Sequence, residues 1–437
     1  MTRPVLRLLV VLAAVCGAAL GTLATLVLTG PADLVMTEAA PAHAGGPDHP
    51  APVEGPSGPG FQPGSPASPS PDVRPGSVAS PGPDVAPTVP AASGPTPMPD
   101  LSARPSPDVP RMLLVWTAGG LPAAVRDVAA ADPAIQRFSA VAGDQAGLVG
   151  VHTDDGAEML VLDDGWQIPL DVLAVDPVTH ASFVADLSGP ADGAAVAGLG
   201  PGEALLSEAS AALRGVGEGA TLDMADGGPL RVAGVIDDRA ASGAELVVHT
   251  ADAARLGVDR PRFLLVSHTG SRSAVQQRLV TAVGSTPVRF RTPAETTWLR
   301  HGDAVLPQAM LKEAFGEFAI RLVAGRDVTV DPGWEQANII TREVPILGEV
   351  RCHRRLLPRL VGAMEELARR NLAHLVDVDA FAGCYVPRRI AAGEPLSRHA
   401  WGVAVDLNVG DNPRGSFSTQ DPRLVEAMRA HGFTWGG

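Results

Sequence analysis

The sequence predicts an α+β fold for residues 111–437, preceded by a membrane segment and a linker. Short apolar runs bounded by turn residues are typical of buried strands, and Met112–Trp116 is the first of them. Other segments, such as residues 121–131, carry apolar residues at helical spacing. Strand-like and helix-like segments are mixed along the chain, which favours α+β packing.

Residues 1–30 are predicted to be a membrane anchor or a signal segment. Residues 8–28 contain no charged side chain, and about 20 apolar residues suffice to cross a bilayer. Arg3 and Arg7 precede this run, which places the N-terminus in the cytoplasm and the rest outside. An anchored cell-membrane protein is favoured, and a small-residue pattern at residues 42–44 leaves a cleaved, secreted form open.

Residues 31–110 are predicted to be a disordered linker. Pro, Gly, Ser and Ala dominate this segment, so it cannot bury enough apolar surface to offset the loss of chain entropy. Its proline density favours an extended spacer that tethers the following domains.

Residues 111–295 are predicted to form an α+β middle domain. Residues 159–162 and 230–236 have strand patterns, and residues 204–214 have helical spacing. A connector, residues 296–343, follows. The sequence predicts a helix and then a strand in it, at residues 309–318 and 334–340.

The order of segments in the middle domain carries a first resemblance. A Glu-Ala-Leu-Leu-Ser run at residues 203–207 precedes a glycine-containing run at 217–222 and a Val-Ala-Gly-Val run at 232–235. This order resembles the extracytoplasmic core domain of MacB/FtsX-type ABC transporter permeases. The resemblance implies a module that binds an envelope protein partner. The histidines here (His152, His180 and His249) are scattered and are predicted to be structural or exposed.

The charge balance argues against nucleic acid as a partner. The formal net charge is -14, and no dense run of basic residues is present to neutralise phosphates. Arginine supplies nearly all of the positive charge, since Lys312 is the sole lysine of the sequence.

A histidine and an aspartate near the C-terminus predict a metal site. Val403, Val405 and Leu407 alternate with polar or small residues, which predicts a strand over residues 403–408. His399 can approach Asp406 only from a turn before that strand, and Gly402 permits such a turn. Imidazole nitrogen and carboxylate oxygen suit Zn²⁺, which takes three protein ligands in catalytic sites. Ser397 is expected to hydrogen-bond the turn or to support a ligand.

The pattern Ser-x-His-x-x-Gly-x-Ala-x-Asp at residues 397–406 resembles the signature of the M15 zinc peptidases. The resemblance covers residues 344–437, including Arg-Cys-His-Arg at 351–354, Gly-Cys-Tyr-Val-Pro-Arg at 383–388 and Gly-Phe-Thr-Trp-Gly-Gly at 432–437. These peptidases include VanY-type D-alanyl-D-alanine carboxypeptidases and L-alanyl-D-glutamate endopeptidases. The resemblance implies an α+β hedgehog/DD-peptidase type of domain that acts on peptidoglycan stem peptides.

The resemblance also implies roles for individual residues. His399 and Asp406 would be zinc ligands. Arg388 would bind the substrate and stabilise negative charge on the cleaved carbonyl, with the adjacent Arg389 as the alternative. Cys352 and Cys384 lie in the same segment, and their spacing leaves a disulfide and two buried thiols equally open.

In the M15 family the third ligand and an acidic base follow the Trp-Gly-Gly segment, whereas this sequence stops at Gly437. We expect an incomplete copy of an active enzyme rather than a chain that cannot catalyse. His431 is a weak substitute ligand, since it ends a helix predicted at residues 423–431. His353 and His374 are predicted to be exposed or capping residues of a helix over residues 353–372.

Two functions therefore remain open. The first is a zinc-dependent peptidoglycan peptidase anchored outside the membrane. The second is a non-catalytic envelope protein that binds wall peptide or a transporter-like partner.

Overall fold

The computed structural model describes residues 111–435, except for residues 118, 285, 303–305, 391–394 and 413–418. The predicted membrane segment and linker, residues 1–110, lie outside the described residues. Within the described part of the chain, no helix is both long enough and apolar enough to cross a bilayer.

The described residues form a mixed α/β structure. The strands are β1 (Met112–Trp116), β2 (Ile135–His152), β3 (Glu158–Val161), β4 (Ile168–Val175), β5 (Glu203–Ser207), β6 (Thr221–Met224), β7 (Gly228–Ile236), β8 (Leu246–His249), β9 (Pro261–His268), β10 (Arg289–Arg291), β11 (Ile320–Leu322), β12 (Val328–Val330), β13 (Ile339–Val344) and β14 (Gly348–His353). The α-helices are α1 (Ala123–Ala131), α2 (Pro177–Ser188), α3 (Pro190–Ala197), α4 (Glu208–Arg214), α5 (Arg272–Ala282), α6 (Gln308–Phe315), α7 (Pro332–Asn338), α8 (Leu357–Arg369) and α9 (Pro422–Ala430).

Strands β1 to β10 form one mixed sheet. Its neighbours run β10-β1-β9-β2-β4-β8-β5-β7-β6, and β3 pairs with β2. The pairs β4–β8 and β5–β7 are parallel. Strand β2 is 18 residues long, and its C-terminal end also pairs with β6. This last pairing closes the path β2-β4-β8-β5-β7-β6 into a ring.

Alternate residues of the ring strands face two different apolar cores, because successive side chains of a strand point to opposite faces. On β4, Leu170 and Val172 belong to the core inside the ring. Leu173 and Val175 belong to a second core, in which Phe183 of α2 is fully buried. The ring is therefore filled by its own side chains and covered by a helix outside.

The helix predicted at residues 204–214 is correct only in its second half. Residues 204–207 belong to β5, and α4 begins at Glu208. The Ser207 side chain accepts a hydrogen bond from the Ser210 amide, which caps the helix at that point. Apolar spacing continues across this junction and does not show where the strand ends.

The strand predicted at residues 334–340 is wrong for most of its length. Residues 332–338 form α7, and β13 begins at Ile339. Pro332 occupies the first helical position, and the Asp331 side chain accepts from the Gly333 amide. These helix-start signals determine the local structure, although the apolar pattern of the same residues favours a strand.

Helix α6, predicted at residues 309–318, is present and lies between two different environments. Leu311 and Phe315 belong to an apolar core that also contains Ala400 and Trp401 of the C-terminal segment. Gln308 and its neighbour one turn later, Lys312, are buried against the sheet, where both donate to the Pro169 carbonyl of β4. One helix therefore contacts the ring and the C-terminal segment together.

A buried group of charged side chains attaches α6 to the ring. Lys312 Nζ lies 2.9 Å from Glu245 Oε1 and 2.9 Å from Glu317 Oε1. Arg214 Nη2 lies 2.9 Å from the same two oxygens. Burial alone would raise the pKa of Glu245, but the charges of Lys312 and Arg214 outweigh it and lower that pKa. We call these four residues the ion cluster.

Lys312→Met tests the ion cluster. The change leaves Glu245 and Glu317 with one cation between them, so we expect the free energy of unfolding to fall by about 3–5 kcal/mol. Urea unfolding measures it. The matched control is Arg370→Met, which removes an exposed i,i+4 pair with Glu366 and should cost much less. Equal losses in the two variants would contradict a stabilising role for the cluster.

His180 is one of the scattered histidines, and it is structural as predicted. It is 1% exposed, and its Nδ1 lies 2.9 Å from Ser139 Oγ. Burial lowers the pKa of His180 from its ordinary 6.5 to about 4. Well above pH 6.5 the His180 ring is neutral in both the folded and the unfolded protein. As the pH falls below about 6.5, the unfolded protein is protonated before the folded protein. The free energy of unfolding must therefore fall between pH 6.5 and 4.

We expect His180→Gln to weaken this acid sensitivity. Between pH 7 and pH 5 the wild-type protein should lose about 2 kcal/mol more than the variant, since each unit of pKa difference corresponds to about 1.4 kcal/mol. Urea unfolding at both pH values gives the difference. His374→Gln, which changes an exposed histidine, is the control. An unchanged pH slope in His180→Gln would refute the assignment.

Candidate functional site

His399 lies in a tight turn, as the sequence predicts. Arg398–Trp401 form one turn of 3₁₀-helix, and the Ser397 side chain caps it by accepting from the His399 amide at 3.4 Å. Gly402 ends the turn with a φ of 64°, a conformation that favours glycine. Its carbonyl accepts from the His353 amide at 3.0 Å, which ties the turn to the end of β14.

The two ring nitrogens of His399 have different partners. Nδ1 lies 3.0 Å from the Cys384 carbonyl oxygen, which can only accept, so Nδ1 carries the proton. Nε2 lies 3.0 Å from Asp406 Oδ2. In a neutral ring Nε2 is an acceptor, and the carboxylate is an acceptor as well. Two acceptors at this distance need a proton or a metal ion between them.

The Cys384 carbonyl is fixed by a disulfide. Cys352 of β14 and Cys384 are bonded, with their Cα atoms 5.4 Å apart, and both are buried. Of the two states that the sequence leaves open, the structure has the bridge. It joins β14 to the loop whose carbonyl orients His399. The backbone atom that sets the ring orientation is therefore held covalently to the domain core.

The strand predicted over residues 403–408 is not formed. The segment carries no strand ladder, although the Asp406 carbonyl accepts from the Ala382 amide at 3.0 Å and the Asp406 amide donates to Gly383 at 3.4 Å. Val405 and Leu407 still pack against the C-terminal core. The alternation therefore marks side chains that pack on a core, although residues 403–408 are all half-buried and too few backbone hydrogen bonds form to make a strand.

Asp406 is open to solvent, whereas His399 is enclosed. The Asp406 side chain is 42% exposed and that of His399 is 8% exposed. The hydrogen bond with His399 lowers the pKa of Asp406 against the opposing effect of burial, and the charges of His399 and Arg388 lower it further. Asp406 is therefore ionised at neutral pH, as a metal ligand must be.

The structure places Arg388 and Arg389 in different surroundings. Arg388 is half-buried and lies close enough to Asp406 to lower its pKa. The Arg389 guanidinium instead donates to the Gly325 carbonyl at 2.5 Å, and its amide donates to the Arg326 carbonyl. Arg388 is thus the arginine that lies near the His–Asp pair. Arg389 is instead hydrogen-bonded to the backbone of residues 325 and 326.

The His–Asp pair fits part of a zinc site. Two ligands of a tetrahedral zinc ion lie about 3.4 Å apart, close to the 3.0 Å between His399 Nε2 and Asp406 Oδ2. A metal-binding histidine usually donates its other N–H to a carbonyl or carboxylate, as His399 does to Cys384. Among the described residues, no group of three or more His, Cys, Asp or Glu side chains could hold a metal ion.

The side chains of two of the other C-terminal histidines have partners outside this pair. His353 is not exposed: it is fully buried, its Nε2 lies 3.1 Å from the Phe315 carbonyl, and burial lowers its pKa to about 4. Its Nδ1 accepts from the Arg355 amide at 3.1 Å, so the capping alternative holds for the turn before α8. Helix α8 begins only at Leu357. His374 is exposed, and His431 Nε2 lies 2.9 Å from Glu366 Oε2. His431 therefore has a partner on α8 rather than at the candidate site.

Residue patterns could not reveal two supports of the site. One is the backbone carbonyl of Cys384, because a carbonyl carries no sequence identity. The other is Gln145 of β2, whose Oε1 accepts from the Leu396 amide at 2.6 Å across 251 residues of sequence. A polar residue in a strand gives no local sign of such a partner.

Comparison with known proteins supports the peptidase resemblance at the C-terminus. Residues 391–437 match the M15 peptidase family model described as D-alanyl-D-alanine carboxypeptidase. This match confirms the M15 resemblance of the segment that contains His399 and Asp406. None of the curated proteins matches the chain.

Among solved structures, the extracellular domain of the noncanonic ABC-type transporter YknZ from Gram-positive bacteria matches. The identity is 11%, the match covers 41% of this chain and 98% of that chain, and the TM-score is 0.26.

Gly402→Ala tests the turn. A Cβ atom at Gly402 would lie 2.7 Å from the His353 amide nitrogen, and the positive φ adds strain, so we expect a loss of at least about 1–2 kcal/mol in unfolding free energy. Gly410→Ala is the control, because a Cβ there meets nothing within 4 Å. Urea unfolding compares the two. Similar stability of both variants would show that the turn tolerates a side chain.

Proposed function

We propose that this protein is a zinc-dependent peptidoglycan peptidase. The observation that carries the proposal is the facing pair of acceptors, His399 Nε2 and Asp406 Oδ2, with the other ring nitrogen held by a carbonyl. The family match over residues 391–437 supports it independently. His399 and Asp406 are the proposed zinc ligands.

Each proposed residue has a separate task. Bound zinc supplies a Lewis acid that polarises the scissile carbonyl and activates water. His399, held at Nδ1, presents Nε2 without rotating, and Asp406 contributes negative charge from the solvent side. Arg388 stabilises the negative charge that develops on the carbonyl oxygen during attack. The enclosed histidine and the open aspartate leave the pair accessible to a peptide from one side.

The proposed substrate is the stem peptide of peptidoglycan. Stem peptides carry free carboxylates, and an arginine beside the metal pair suits a carboxylate. The reaction is either removal of the terminal D-alanine or cleavage between L-alanine and D-glutamate. Both substrates lie outside the cytoplasmic membrane, which agrees with the export that the N-terminal sequence predicts. Residues 111–295 are proposed to bind an envelope partner.

The test uses the protein as its own host produces it, purified in detergent and loaded with zinc. We expect one zinc ion per chain by elemental analysis, and release of D-alanine or of L-alanine-terminated fragments from purified muropeptides by mass spectrometry. Chelation should abolish hydrolysis. His399→Ala and Asp406→Asn should lose zinc. Arg388→Met should keep zinc and lose about 100-fold or more in kcat/KM.

His374→Ala, at an exposed histidine, is the control and should retain both zinc and activity. Absence of zinc and of hydrolysis in the wild-type chain would overturn the peptidase proposal. Muropeptide binding without hydrolysis would then favour the alternative, a non-catalytic envelope protein that recognises wall peptide.

A further inference from the structure

Gln145 reaches from the sheet to the segment that carries the candidate site. It lies near the middle of β2, opposite Asp171 of β4, and is half-buried. Its Oε1 accepts from the Leu396 amide at 2.6 Å, and its Nε2 donates to Gln308 Oε1 of α6. One side chain of the ring therefore contacts both α6 and the C-terminal segment.

The orientation of both amide side chains is determined by the ends of this chain of hydrogen bonds. The Leu396 backbone N–H can only donate, so Gln145 must present its oxygen there and its NH₂ group to Gln308. Gln308 must then present its own NH₂ group onward, to the Pro169 carbonyl at 2.7 Å and Glu245 Oε2 at 2.9 Å. We call Gln145 and Gln308 the amide relay.

The relay ends on the ion cluster. Glu245 is fully buried, and Lys312 and Arg214 hold it in place. A buried carboxylate with fixed partners is a rigid acceptor, and hydrogen bonds to charged groups are stronger than those between neutral groups. Gln145 is thus held by the ion cluster through Gln308, and its oxygen is free to accept from Leu396.

Leu396 is next to both proposed functional elements. It pairs with Arg389 in an isolated antiparallel bridge, and the following residue, Ser397, donates its amide to the Arg388 carbonyl at 2.9 Å. Ser397 also caps the turn that holds His399. The position of the Leu396 backbone therefore affects the arginine and the histidine together.

We propose that Gln145 is a positioning residue for the candidate metal site, contributed by the sheet domain. It fixes the backbone at Leu396 and thereby the 3₁₀ turn of His399 and the adjoining Arg388. This inference rests on the proposed function for its catalytic meaning, although the positioning itself can be measured without metal. It makes the sheet domain a structural part of the site.

The test combines amide hydrogen exchange with metal binding on the full chain. In Gln145→Leu, we expect the Ala400 and Gly402 amides to exchange about tenfold faster. These amides donate to the Ser397 and His399 carbonyls of the turn itself, so the substitution removes neither hydrogen bond directly. The Kd for Co²⁺, added as the chloride, should rise about tenfold, as for loss of other supporting residues. Amides of α8 should be unaffected.

Two further variants separate positioning from general destabilisation. Gln145→Glu keeps the shape and the acceptor for Leu396 but offers no N–H to Gln308, so it should change the same observables in the same direction by a smaller factor. Gln136→Leu removes an exposed glutamine from the same strand and should change neither. Faster exchange throughout the protein in Gln145→Leu, or unchanged exchange at Ala400 and Gly402, would overturn the inference.

Failure of the proposed function gives a different result. If the wild-type chain binds no Co²⁺ but exchange at the turn still responds to Gln145→Leu, the peptidase proposal fails and the positioning role stands. If the wild-type chain binds Co²⁺ and Gln145→Leu binds it equally well with unchanged exchange, the positioning role fails and the peptidase proposal stands.

Discussion

The buried pair of Glu245 and Lys312 is the interaction on which the arrangement of the described residues depends. Both side chains are enclosed, and neither could be buried alone without a large loss of hydration free energy. Glu245 precedes a strand of the ring, and Lys312 lies on α6. Their need for each other, and for Arg214 and Glu317, sets where α6 lies on the sheet. The sole lysine of the sequence is used for this purpose.

Once α6 is placed, its apolar side positions the C-terminal segment. Phe318, which follows the helix, packs against Trp334 and Trp401 with ring centroids 4.3 and 4.8 Å away. Trp401 also donates its indole N–H to the Gly316 carbonyl at 3.2 Å. Trp401 belongs to the turn that holds His399. The candidate site is therefore built on a core that the connector shares with the peptidase-like segment.

The His399 ring is held by groups that come from several parts of the chain. The disulfide places the Cys384 carbonyl at Nδ1, and Gly402 ties the turn to β14. Arg398, which precedes His399 in the sequence, donates to the Leu306 carbonyl of the connector at 2.8 Å. Burial, together with the charge of Arg300, lowers the pKa of Arg398 to about 10, which still leaves it charged at neutral pH. A histidine with this many supports has one available orientation, which is what a metal ligand requires.

The sequence by itself determined the local chemistry of the site. His399, Gly402 and Asp406 follow from residue type and spacing, because a turn that needs a glycine and a carboxylate beside an apolar face are local properties. In the middle segment, β1, α1, β3 and β7 follow from periodicity for the same reason. The exceptions at residues 204–207 and 334–338 are places where capping groups, rather than apolar spacing, set the boundary.

Only the tertiary structure decided what holds that chemistry in place. The disulfide, the burial of His353, the carbonyl at Nδ1 and the contact from Gln145 join residues far apart in sequence. Residues 403–407 lack a strand ladder because just a few of their backbone groups meet partners in residues 380–383. Such contacts depend on where distant segments come together, and backbone atoms carry no residue identity that a sequence pattern could show.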